Sequence, residues 1–147
     1  MLITREEILK DYRTGIVETI PSTLEANLKK LMEALNKFRA IYGKPMMVTS
    51  GYRNPKKNTA IGGAKKSNHI ICLACDFADT ESKLDSYCVA NQDVLEECGL
   101  YLEHPKWTNN WCHLQTVKPL SGKRIFIPSA QEPIKEKLDE LFIDLKV

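Results

Sequence analysis

No stretch of this 147-residue sequence approaches the roughly 18 to 20 consecutive apolar residues that a membrane-spanning helix needs. An excess of one charge is missing too: 21 basic side chains against 19 acidic ones leave a formal net charge of +2. That balance gives no electrostatic reason to expect a nucleic acid or an anionic membrane as the main partner. Repeats and low-complexity tracts are absent, and the 43% hydrophobic and 27% charged content is that of a globular protein. That excludes a disordered tail and argues against a collagenous or coiled-coil rod. The length sets the expectation of a single domain over 1–147 that needs no covalent staple. The opening MLITREEILKDY places acid and base too early for the apolar centre of a signal peptide, so synthesis in the cytoplasm is expected. Oligomeric state is not legible.

Cysteine is present in odd number: Cys72, Cys75, Cys88, Cys98 and Cys112. A complete disulfide framework is not expected, and reduced, buried thiols are. Cys72 and Cys75 form a C-x-x-C with no second pair, and read as small residues beside a strand rather than as a redox site.

What the sequence does contain is alternating helical and strand periodicity. Ser22-Thr23-Leu24-Glu25 has the form of a capping box. Behind it Leu24, Leu28, Leu31, Leu35, Phe38 and Ile41 recur at helical spacing up to Gly43. A shorter helix is expected over 5–12. Strand character appears over 46–50 and 70–78, separated by a Gly-, Pro- and Lys-containing stretch over 54–68 that reads as a loop. A helix is expected over 82–97, ending at Gly99. Two short strands follow over 100–103 and 111–116, then an edge strand over 124–128 and a last helix through Ile134, Leu138, Leu141 and Leu145. This order predicts an α+β fold, a mostly antiparallel sheet with helices packed on one side.

Histidine is scarce, so its placement carries weight. His69 and Asp76 lie in one stretch and His113 far downstream. Two neutral imidazoles and a carboxylate make a three-ligand set suited to zinc, with a fourth position left for water.

The surroundings add a pattern: Ser50-Gly51-Tyr52-Arg53, then Asn58, Gly62-Gly63, Ser67-Asn68-His69, Ala74-Cys75-Asp76, and finally Trp111-Cys112-His113. This resembles the zinc D-alanyl-D-alanine carboxypeptidase family, which includes phage endopeptidase lysins and shares its fold with the Hedgehog signalling domain. The resemblance implies that His69, Asp76 and His113 hold Zn2+ and that the partner is a peptidoglycan stem peptide. It implies that Arg53 grips a substrate carboxylate or carbonyl, for which a guanidinium fork is suited, and that Ser67 hydrogen-bonds substrate. The bland alternatives are a surface ion pair for Arg53 and a turn for Ser67. A phage-type lysin or virion component suits the missing signal segment better than a periplasmic enzyme does.

Two positions depart from the family pattern. Cys72 stands where the family has glycine, and is read as a small residue on a packed strand. Asn110 stands where peptide-hydrolysing members carry Asp or Glu, and an amide cannot take a proton from water. Glu103 is the candidate replacement. A hairpin over 100–116 centred near Thr108 puts Glu103 opposite His113, and opposed residues of an antiparallel pair share a face. A register slipped by one residue makes it a solvent-facing glutamate instead. Trp111, His113 and Gln115 alternate onto one face, so Trp111 either walls the cleft or fills the core, and Gln115 binds substrate or orients a ligand. His104 is expected at the surface. Lys56, Lys57, Lys65 and Lys66 read as a solvated loop with a weak steering role toward an anionic polymer. The competing reading is a zinc-stabilised, non-catalytic wall-binding or virion module that has lost its base, with a cysteine closing the fourth position.

Overall fold

The computed structural model describes residues 2–64 and 66–128. The elements are α1 (Arg5–Leu9), α2 (Glu25–Tyr42), β1 (Val48–Ser50), α3 (Pro55–Ala60), β2 (Ala74–Ala78), α4 (Lys83–Ala90), α5 (Gln92–Cys98), β3 (Tyr101–Glu103), β4 (Trp111–Gln115) and β5 (Ile125–Phe126). The expected last helix, over 134–145, lies outside the described residues.

Alternation of polar and apolar residues settles the sheet. Its strand order is β1-β2-β4-β3-β5, antiparallel throughout except for the β3–β5 pair. The fold is α+β, as the sequence predicts. Cys75, Phe77, Cys112, Leu114 and Leu102 are buried with Leu28, Leu31, Leu35 and Phe38 of α2 and Leu95 of α5 in one apolar core.

Several local expectations are corrected. Ser22 does not cap α2: a short 3₁₀ turn runs from Ser22 to Leu24, and Leu24 at the N-cap makes no side-chain bond. Glu25 is drawn away by Arg5, whose two terminal nitrogens each meet one of its oxygens at 2.7 Å. The capping box that does form belongs to α1, between Thr4 and Glu7. The supposed loop over 54–68 begins with α3, because Asn54 caps it by accepting from Lys57 N–H at 2.7 Å and Pro55 opens its first turn. The helix over 82–97 is two helices broken at Asn91, whose non-helical backbone (φ −130°, ψ 52°) ends α4. β2 starts only at Ala74, since 69–72 form a turn. Cys72 is therefore not a strand residue. It occupies the left-handed region at φ 58°, a conformation glycine adopts without cost, and its thiol is fully buried. Burial pushes that thiol up to about 12, and Cys75 and Cys112 rise well above the ordinary thiol value for the same reason. His104 is buried rather than exposed, its Nδ1 accepting from Lys106 N–H at 3.1 Å and its ring edge-on to Trp107.

The connection from β3 to β4 is anchored from behind. Thr108, buried within it, donates its hydroxyl to Asp85 Oδ2 of α4 at 3.3 Å, and the buried Cys112 thiol lies against the same carboxyl. Burial pushes the Asp85 carboxyl up to about 7 from 3.8. A folded-state pKa above the unfolded one favours the fold at low pH and loses that contribution as pH rises toward 7. Asp85→Asn should remove this dependence. In urea titrations the variant should gain about 2–3 kcal/mol on the unmodified chain between pH 5 and pH 8. A constant difference across that range would show that Asp85 ionises normally in the fold.

Candidate metal centre and cleft

The register aligns one residue from every strand. Ser50 pairs with Asp76, Asp76 with His113, and Glu103 with Phe126. The β3–β4 ladder runs Tyr101 opposite Gln115 and Leu102 opposite Leu114, and its next step sets Glu103 opposite His113. That is the hairpin register expected from the sequence. Ser50, Asp76, His113, Glu103 and Phe126 therefore form a row across the sheet, and opposed residues share its face.

His69 reaches this row from the turn before β2. Its Nδ1 lies 2.7 Å from the Gly51 carbonyl, which can only accept, so Nδ1 carries the proton and Nε2 keeps its lone pair. The Arg53 N–H also donates to the His69 carbonyl at 3.1 Å, which ties the turn to the segment after β1. Gly51 has no substitute here, because a Cβ would collide with the Ile8 carbonyl.

His69 Nε2 lies 3.3 Å from Asp76 Oδ2, and His113 Nδ1 lies 2.8 Å from Asp76 Oδ1. One donor atom from each of the three residues lies within 4.8 Å of the others. The far nitrogen of His113 is engaged as well: Nε2–H donates to Gln115 Oε1 at 2.8 Å, and the Gln115 amide donates to the Val117 carbonyl at 2.9 Å. Each imidazole thus has its outer nitrogen held by the protein and its inner one turned toward the carboxylate, the arrangement that fixes histidines as metal ligands. The donor set fits zinc.

Electrostatics follow from this crowding. Burial alone would raise Asp76, but His69 and His113 outweigh it and hold the carboxyl well below the usual range. Burial lowers His69, with Asp76 opposing in part. Burial works against protonating His113 too, yet Asp76, Glu103 and Gln115 prevail and lift it to about 9. Without a metal, the cations that face Asp76 are therefore the His113 imidazolium and the Arg53 guanidinium.

Arg53 is not a surface ion pair. Its guanidinium meets Asp76 Oδ2 at 3.2 Å, Ser50 Oγ at 3.0 Å and Asn58 Oδ1 at 3.5 Å, and burial lowers its pKa. A cleft of about 530 Å³ opens beside the row. Polar Glu103, His113, Gln115, Ser67 and Asn68 line it together with apolar Val117, Leu120, Phe126 and Ile127. Burial raises Glu103; Asp76 adds to the shift, while His113 and Arg53 oppose it. Ser67 accepts from the His69 N–H at 3.2 Å, so it shapes the turn as well as facing the cleft.

Trp111 and Asn110 fall elsewhere. Trp111 pairs with Ala78 at the far end of β4, is 37% exposed, and is not among the residues lining the cleft. Asn110 is an exposed turn residue at φ 76° whose carbonyl accepts from Asp79 N–H. All five cysteines are free and buried, and none joins the three-residue cluster. Cys75 and Cys112 are each one residue from a cluster member along a strand, and so point to the opposite face. Phe126, edge-on to His113 with ring centroids 6.0 Å apart, was unforeseeable, because the sequence says nothing of the parallel β3–β5 pairing.

Two imidazoles and a carboxylate converging beside an open cleft could hold a single divalent metal, as the three-ligand sites of metal-dependent hydrolases do. A family model described as Peptidase M15 matches residues 2–115, and the chain belongs to that family of zinc metallopeptidases. Among curated proteins none matches the chain. No helix among the described residues is long and apolar enough to cross a membrane.

Gln115 gives the site its simplest test. Gln115→Leu keeps the volume and removes the acceptor for His113 Nε2–H. Zinc affinity, read by chelator competition, should fall about 10- to 100-fold. Unchanged affinity would return Gln115 to a substrate-binding role.

Proposed function

We propose that this chain hydrolyses D-amino-acid-containing peptide bonds of bacterial peptidoglycan. The observation that carries the proposal is the Asp76–His113–Glu103 row, which puts a carboxylate with a raised pKa beside the metal cluster and in the cleft. His69, Asp76 and His113 would hold zinc. When bound, zinc acts as a Lewis acid that makes a water nucleophilic near neutral pH and polarises the scissile carbonyl.

Glu103 takes the proton of the attacking water and delivers it to the leaving amine, a task suited to a carboxylate lifted toward neutrality by burial. Arg53 keeps Asp76 in place; it is not among the residues lining the cleft, and the N–H donors that its three protein acceptors leave over would meet a substrate carboxylate or carbonyl at the metal cluster itself. Ser67 and Asn68 offer polar contacts in the same cleft.

The non-catalytic module is the weaker reading, since its best support was the missing carboxylate at 110, and Asn110 is an exposed turn residue that does not line the cleft. The direct test is incubation of synthetic stem peptides containing D-alanine with chelated, then zinc-reloaded, protein. Cleavage that disappears on chelation and returns with zinc is expected. Intact peptides after reloading, with zinc bound, would favour the binding module.

A further inference from the structure

Asn58 and Gly63 lie outside the metal cluster, yet their geometry is specific. Asn58 is 2% exposed although its side chain is polar. Its Nδ2 donates to the Ala64 carbonyl at 2.8 Å, and its Oδ1 faces Arg53 Nη1 at 3.5 Å. The Gly63 N–H donates to the Asn58 carbonyl at 2.8 Å. A Cβ on Gly63 would overlap the Asn58 side-chain amide, so a side chain at 63 and this rotamer at 58 exclude each other. The Ala64 carbonyl also accepts from the Ser67 N–H at 3.0 Å, and Ala64, Ser67 and Asn68 are wall residues of the cleft.

We propose that Asn58 is a positioning residue that ties the Arg53 guanidinium to the cleft wall at Ala64, Ser67 and Asn68, and that position 63 is glycine to make room for that tie. The inference rests on the peptidase reading for its effect on substrate. A neutral amide suits the task because it accepts from the cation on one side and donates to a backbone carbonyl on the other. Aspartate would keep the first bond and turn the second into a repulsion. Among the described residues Asn58 makes no hydrogen bond to the three metal-cluster side chains, and it reaches Asp76 only through Arg53, so its loss should act chiefly on substrate placement and change metal affinity little.

The experiment compares Asn58→Ala, Asn58→Asp, Gly63→Ala and the double variant N58A/G63A. The readouts are amide hydrogen exchange at Ser67, zinc affinity and steady-state cleavage of a stem peptide. Each single variant should speed exchange at Ser67 at least tenfold and raise KM about tenfold, with kcat within threefold and zinc affinity within twofold. The double variant should be no worse than Asn58→Ala, because the space that the added methyl needs has been vacated. Penalties that multiply in the double variant, or protected exchange at Ser67 in the single ones, would overturn the proposal. If the unmodified protein cleaves no peptide, the peptidase reading fails separately, and the exchange data still decide the tie.

Discussion

Glu103→Gln is expected to lower kcat by about 10²–10⁴-fold while zinc content and melting temperature stay near those of the unmodified protein. The substitution keeps the size of the side chain and removes its negative charge and its ability to accept a proton. Glu103 lines the cleft, and the β3–β4 ladder carries it opposite His113, so no other residue need move for the loss to appear. The companion variant Asn110→Gly should leave turnover within about twofold, since that residue lies outside the cleft in a left-handed turn that glycine adopts freely. Unchanged turnover in Glu103→Gln would take Glu103 out of the mechanism, and a loss in Asn110→Gly would bring the turn back into it.

Asp76→Asn should have the second large effect, on two separable quantities. Zinc affinity should fall more than a hundredfold, because the carboxylate shared by both histidines is the only anionic group of the cluster. The metal-free protein should also lose about 3–5 kcal/mol, the usual consequence of removing one member of a buried ion-pair network. Here Arg53 at 3.2 Å and the His113 imidazolium at 2.8 Å would both be left buried without their counter-charge. Urea denaturation in the presence of chelator reads the second effect without interference from the first. A variant that keeps full apo stability would show that the Arg53–Asp76 contact is energetically idle.

Much of this site was legible because it depends on period-two alternation and a few motif residues. The positions of His69, Asp76 and His113 are fixed by chain order, and the hairpin centre near Thr108 sufficed to put Glu103 opposite His113. Legibility ended where tertiary partners decide the outcome. Nothing local says that Arg5 will take Glu25 from its capping box, or that Asn54 will start a helix in a lysine-rich stretch. The Cys72 position showed a missing glycine, but only the turn geometry shows why glycine is usual there: the residue sits at φ 58° and not on a strand. His104, adjacent to Glu103 and therefore expected to face water, is covered by Trp107 and hydrogen-bonded within the β3–β4 connection, a packing that alternation alone cannot convey.

The cleft beyond the metal cluster was the least legible part. Val117, Leu120, Phe126 and Ile127 follow the last residue of the family match and come together through the parallel pairing of β5 on β3, a long-range contact without a local signal.

The most direct test of the central claim is digestion of purified peptidoglycan by the zinc-loaded protein, with released fragments identified by mass spectrometry beside a His113→Ala sample. Fragments released only by the unmodified protein are the predicted result, and their masses identify the bond cut. No fragments across several wall chemistries, with zinc verified in the protein, would contradict the assignment of a peptidoglycan peptidase.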